Sequence, residues 1–232
     1  MPRDTTRPRS PLYGVILAVR VVFFAMLAAL LLLVLSERPS LSGILKGRTS
    51  VDQQLVGLVA GHWQSDSGAV CPDGLQEVDL NLNIARKVAG LLRDEGYRVE
   101  VLPEYSPKLD GYQAAAFLSI HNDSCVAGLS GFKVVGMTHA AAPEEEDALV
   151  NLLYAHYAEA TGLEPHPNTI TDDMLEYHAF RQIAPETPGA IIECGFMGGD
   201  RALLTEGVDR VSSGIANGLL AFLRRETGGS TD

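Results

Sequence analysis

Between Leu12 and Leu35 the chain runs for 24 residues with a single charge, Arg20. At about 1.5 Å per helical residue, such a run is long enough to cross a hydrocarbon core of about 30 Å. It has no polar face to turn toward water, so it does not belong in one soluble core with the rest of the chain. Arg20 can snorkel toward the headgroups and leave Val21 to Leu35 as the deepest part. Arg3, Arg7 and Arg9 precede the run, which by the positive-inside rule predicts a cytoplasmic N-terminus and an extracytoplasmic remainder. A cleaved signal peptide is the rival reading, but Ser-Glu-Arg-Pro-Ser-Leu-Ser after Leu35 offers no convincing small-x-small site. The predicted organisation is a basic tail over 1–11, a transmembrane anchor over 12–36, a linker over 37–54, a folded domain over 55–226 and a polar tail over 227–232.

Charge follows the same division. The formal charge is −11, yet residues 1–50 hold seven Lys and Arg against Asp4 and Glu37, which leaves −16 on the remainder. An acidic body repels phosphate, so nucleic acid is not an expected partner.

From Leu55 onward short apolar runs alternate with helical patterns. LVGLVA, YRVEVL, AAAFLSI, FKVVGMT and AIIECGF read as strands. Val78, Leu82, Ala85, Val88, Ala89 and Leu92 mark one face of a helix over 78–95, and further helices are predicted near 143–161, 172–183 and 200–225. The alternation predicts a single three-layer α/β domain with a mostly parallel sheet, FKVVGMT being a candidate edge or antiparallel strand.

In open α/β sheets, sites gather beyond the carboxyl ends of the strands. His62 leaves LVGLVAG and His121 leaves AAAFLSI, so parallel strands put both imidazoles at one rim. Glu77 stands at the head of the following helix, and Glu193 lies inside AIIECGF, where an unpaired carboxylate is costly to bury. Each residue alone has a structural explanation, such as a helix-dipole acid for Glu77. Four such groups at one rim point elsewhere. Two imidazoles and one carboxylate that leave a coordination position open are the ligand chemistry of catalytic zinc, and a second glutamate would carry the proton. Spacing alone leaves open which glutamate is ligand and which is base.

These residues resemble the zinc-dependent N-acetylmuramoyl-L-alanine amidases, which cut bacterial peptidoglycan. GHWQSDSGAVCPDGLQE is similar to the family's first motif through His62, Asp66, Gly68, Ala69 and Glu77; LSIHND is similar to the second, and PGAIIECGFMGG to the third. The resemblance implies one Zn²⁺ on His62, Glu77 and His121, with Glu193 as the catalytic glutamate. It also implies hydrolysis of the amide between N-acetylmuramic acid and the L-alanine of the stem peptide. The chain departs from the pattern in Val59-Ala60 before Gly61, in Trp63-Gln64 after His62, in the position of Asn122, and in PEYSPKLDGYQ, which is too short for the family's helix. Trp63 and Asn122 are candidate substrate contacts. Two alternatives stay open: a catalytically silent cell-wall-binding or regulatory module, and a zinc hydrolase of another N-acyl amide.

Cys71 and Cys125 each follow a ligand histidine in a loop, and an extracytoplasmic domain permits them to pair while Cys194 stays free. Three reduced thiols are the alternative. His139, His156, His166 and His178 lack the strand-end context and are not expected to bind metal; Tyr177 and His178 could line the cleft. Glu144 to Asp147 follow Pro143, as acids do at a helix start.

Overall fold

The computed structural model describes residues 54–138 and 140–227, together with Phe23 and Met26. The basic tail and nearly all of the anchor and linker, as well as His139 and residues 228–232, lie outside the described residues. Among the described residues, no helix is long and apolar enough to cross a membrane.

Five strands form one mixed sheet: β1 (Leu55–Ala60), β2 (Arg98–Pro103), β3 (Ala116–Asp123), β4 (Lys133–Gly136) and β5 (Gly189–Phe196). Their order is β2-β1-β3-β5-β4, with β4 antiparallel to β5 and the other pairs parallel. FKVVGMT is thus the antiparallel edge strand that its sequence allowed. β1 and β3 are buried along nearly their whole length, which explains their continuous apolar runs.

Three long helices cover one face: α1 (Glu77–Asp94), α2 (Pro143–Thr161) and, after two shorter helices, α5 (Val208–Thr227). The buried side of α1 carries Leu80, Ile84, Ala85, Val88, Ala89 and Leu92 at helical spacing. These join Leu58, Leu118, Ile192, Tyr157 and Phe222 in the larger core. The opposite layer is thin. Tyr112, Phe117 and Ile191 meet Met174, Tyr177 and Ile183 there.

Two predicted helices are interrupted. Residues 172–183 resolve into a single turn, α3 (Asp172–Leu175), and a 3-10 turn over His178–Arg181. Residues 200–225 divide into α4 (Arg201–Thr205) and α5. The break falls at Gly207, whose N–H reaches back to the Ala202 carbonyl (3.0 Å) while its own carbonyl accepts the Arg210 N–H (2.9 Å), ending one helix and starting the next. Between β2 and β3 only a 3-10 turn, Pro107–Leu109, is present, as the shortness of PEYSPKLDGYQ requires.

Candidate metal centre and acid cluster

The groups of the candidate site stand in the carboxyl-terminal halves of parallel strands, just beyond such a strand, or at the head of α1. β1 releases the chain at Gly61, and His62 turns it in the left-handed region, φ 65°. For a residue with a β-carbon this conformation costs about 1–2 kcal/mol, so something must hold it. Glu77 is the first residue of α1, whose start is tied down by backbone: the Glu77 and Val78 N–H groups donate to the Ala69 and Ser67 carbonyls (2.9 and 3.2 Å). His121 lies within β3, directly opposite Glu193 of β5, and a register shift follows before Asp123 pairs with Phe196. Such a bulge bends the strand and redirects side chains at the rim.

His62, Glu77 and His121 come together, each offering one ligand atom within 4.8 Å of the others. Glu77 Oε2 is 3.3 Å from His62 Nε2, and Glu77 Oε1 is 3.2 Å from His121 Nδ1. The carboxylate is oriented by the Ala69 N–H on Oε2 (3.0 Å) and by the Asn81 Nδ2 and Asn122 N–H on Oε1 (3.1 and 3.2 Å). Glycine is required at two approaches. A β-carbon at Gly61 would overlap the His121 ring, and one at Gly68, φ 60°, would stand 2.5 Å from Glu77 Oε2.

The two imidazoles are set alike: each turns one nitrogen to Glu77 and the other to an outer acid. His62 Nδ1 lies 2.6 Å from Asp66 Oδ1, and Asp66 is itself held by the Gly68 N–H (2.7 Å). His121 Nε2 faces Glu104 Oε2 at 3.5 Å. Glu104 was not singled out from the sequence. It follows β2 immediately, and the strand-end rule that selected His62 and His121 selects it as well.

The acids are tuned apart. Burial works to raise Glu77, but hydrogen bonds from His121 and His62 outweigh it and hold the carboxyl well below the usual range. Glu104 is likewise held at about 2, against the effect of its burial, by His178, His121 and Tyr177. Burial pushes Glu193 up to about 7, assisted by the charges of Glu77 and Asp123 and opposed by His121 and Lys133. The Glu77 hydrogen bond lifts His62 to about 9.

Two other predicted contacts fall differently. Trp63 is half-buried and packs on the larger core. Asn122 is only 2% exposed and offers a substrate no surface in this structure; its Nδ2 donates to Asn81 Oδ1 (2.7 Å) and supports α1. Cys71 and Cys125 form a disulfide, and Cys194 is free and buried.

Residues 56–221 match the N-acetylmuramoyl-L-alanine amidase family. The chain belongs to that family, a group of hydrolases that act on amide bonds. A curated relative, the uncharacterized protein YqiI of Bacillus subtilis strain 168, is 37% identical over 90 residues. That match spans 35% of this chain and 43% of YqiI, less than half of the relative's length. Among solved structures, the catalytic domain of the amidase CwlV from Bacillus (Paenibacillus) polymyxa var. colistinus is 26% identical, with a TM-score of 0.56 over 74% of this chain and 98% of that one. The amidase AmiC2 of Nostoc punctiforme (22% identity, TM-score 0.57) covers 75% of this chain and 98% of its own. Ami1 of Mycobacterium smegmatis (20%, 0.58) covers 75% and 99%. At these last two identities the likeness is one of fold.

Proposed function

We propose that the chain is a zinc-dependent N-acetylmuramoyl-L-alanine amidase, anchored in the membrane through residues 12–36, whose catalytic domain, residues 55–226, works on peptidoglycan outside the cytoplasm. The observation that carries the reading is the convergence of His62, Glu77 and His121 on one point with Glu193 in register beside His121.

The donor set fits zinc. Two imidazoles and one carboxylate are the ligands of open catalytic sites; His62 has the usual second contact of a metal-binding histidine in Asp66 at 2.6 Å, and His121 has Glu104 facing its far nitrogen at 3.5 Å. We assign the metal to His62, Glu77 and His121. Bound zinc supplies Lewis acidity, polarising the scissile carbonyl and making water acidic enough to react near neutral pH.

Glu193 is the residue we assign to proton transfer. As general base it takes a proton from the attacking water, whose oxygen bonds to the lactyl carbonyl carbon. As general acid it returns that proton to the nitrogen of L-alanine as the C–N bond breaks. The products are a muramic acid carboxylate and a peptide amine. Without metal, burial already lifts this carboxyl to about 7, out of the ordinary carboxylate range.

The membrane assignment is supported by the long apolar run with its basic flank, and the extracytoplasmic domain by the Cys71–Cys125 bridge, which persists in oxidising compartments. Dye release from labelled peptidoglycan tests the activity. The full chain should release dye, chelator should abolish release and zinc restore it. Glu193→Gln should keep its zinc and lose roughly 10²–10⁴-fold in rate. Stoichiometric zinc without any release by the wild type would instead favour a binding module.

A further inference from the structure

We propose that Glu104, held in place by Tyr177 and His178, is a positioning residue that fixes both imidazoles of the metal centre. The proposal rests on the reading that His62, Glu77 and His121 take zinc.

Glu104 is 5% exposed, and a buried carboxylate is costly unless its oxygens are fully engaged. Its contacts run in two directions. Toward the site, Oε2 accepts the His62 backbone N–H at 2.7 Å. The Glu104 N–H donates to the Trp63 carbonyl at 3.1 Å. Residues 62 and 63 are therefore grasped by one acid through both its side chain and its backbone. This is the segment in which His62 occupies the left-handed region, φ 65°, so Glu104 joins the backbone bonds of the turn itself, such as Trp63 N–H to the Ala60 carbonyl (3.1 Å), in holding it. The same Oε2 faces His121 Nε2 at 3.5 Å, a buried nitrogen that has no hydrogen-bond partner among the described residues.

Away from the site, the other oxygen is clamped. Oε1 accepts from the Tyr177 hydroxyl at 2.8 Å and from His178 Nε2 at 2.7 Å. The direction of the second bond follows from its neighbours. Gln182 Nε2 donates to His178 Nδ1 at 3.1 Å, which leaves the proton of a neutral ring on Nε2, aimed at Glu104. Ser119 Oγ donates to the Tyr177 oxygen at 2.9 Å and completes the chain back to β3. With its outer oxygen fixed by two donors, the inner oxygen of Glu104 cannot swing away from the imidazoles.

The consequence for His121 parallels that of Asp66 for His62. A carboxylate on the far nitrogen keeps the proton there, frees the nitrogen facing Glu77 for the metal and raises its basicity. Residues that act in this way change metal affinity, whereas an acid that merely ties the 176–182 segment to the sheet would change only stability.

The test separates those outcomes. The full chain is purified in detergent, stripped of metal and titrated with zinc against a chromophoric chelator, alongside thermal unfolding of the metal-free protein. Wild type should bind one zinc, and His121→Ala should lose it. Glu104→Gln should bind zinc roughly 10–100-fold more weakly. His178→Ala, which leaves Glu104 present with only the Tyr177 hydroxyl on its outer oxygen, should weaken binding several-fold. Zinc affinity of Glu104→Gln within twofold of wild type overturns the proposal, even if the unfolding temperature drops. Should Glu104→Gln not fold, His178→Ala decides, and unchanged zinc affinity in that variant overturns it. A wild type that takes up no zinc, or keeps it in His121→Ala, overturns the metal-centre reading and this proposal with it.

Discussion

The Cys71–Cys125 bridge joins the loop between His62 and Glu77 to the loop that follows His121, so it ties together the two segments that deliver the candidate ligands. Its removal should destabilise the domain chiefly through the unfolded ensemble. The bridge spans a sequence separation of 54, and the chain-entropy relation for a loop of that length gives about 4 kcal/mol at 25 °C. The folded geometry should survive, because the Cys125 loop has other anchors: Asp200 accepts from Ser130 Oγ (2.5 Å) and from the Gly131 N–H (3.1 Å). Gly198 and Gly199 also let residues 126–129 approach backbone to backbone. The assay is urea unfolding of the oxidised full chain and of a Cys71→Ala, Cys125→Ala variant, extrapolated to water. Alanine is chosen because Cys71 is 3% exposed and serine would bury a hydroxyl there. The expected loss is about 4 kcal/mol, and at least about 2. A loss below about 1 kcal/mol would refute the reasoning, as would alkylation of three thiols without reductant.

Two further outcomes follow from particular residues. Burial pushes Glu146 up to about 7 from an ordinary 4.5, although the Met137 and Gly189 N–H groups favour its ionised form. The associated stability is fully present below pH 4.5 and lost as pH rises through about 7, amounting to about 3 kcal/mol by linkage. In chemical unfolding, Glu146→Gln should flatten the pH dependence across that window; an unchanged slope counts against the assignment. Gly61→Ala places a methyl group against the His121 ring and should abolish stoichiometric zinc uptake in equilibrium dialysis while the domain still unfolds cooperatively. Full uptake would show that the rim adjusts.

Much of this molecule is readable from its sequence because the sheet is buried on both faces. β1, β3 and β5 appear as short unbroken apolar runs, and a histidine or glutamate at or near the end of such a run stands out against it. Glu104 escaped notice for the opposite reason. It sits in PEYSP, where prolines and a serine announce a turn, and its partners Tyr177 and His178 lie more than 70 residues away. The second layer departs from its sequence pattern for a related cause. Residues 172–183 carry an apolar pattern at helical spacing, yet Tyr177, Ala179 and Ile183 meet that spacing's demand for burial from a one-turn helix and a 3-10 turn. Periodicity records which side chains are buried; it does not say how many turns the backbone completes between them.

The tuning of the acids bears on the question that spacing left open, namely which glutamate binds and which carries the proton. A ligand carboxylate must be ionised wherever the enzyme works, and Glu77 meets that need: both oxygens are engaged by imidazole nitrogens and N–H donors. A proton carrier must exchange near the working pH, and its oxygen must not be consumed by structural bonds. Glu193 meets that need, since burial lifts it to about 7 and its Oε2 has no hydrogen-bond partner among the described residues. Two carboxyls held by different surroundings are thereby suited to different work. The reverse assignment would ask Glu77 to take up a proton against two imidazoles and the N–H donors on both its oxygens, which carries a larger pairing cost than protonating Glu193.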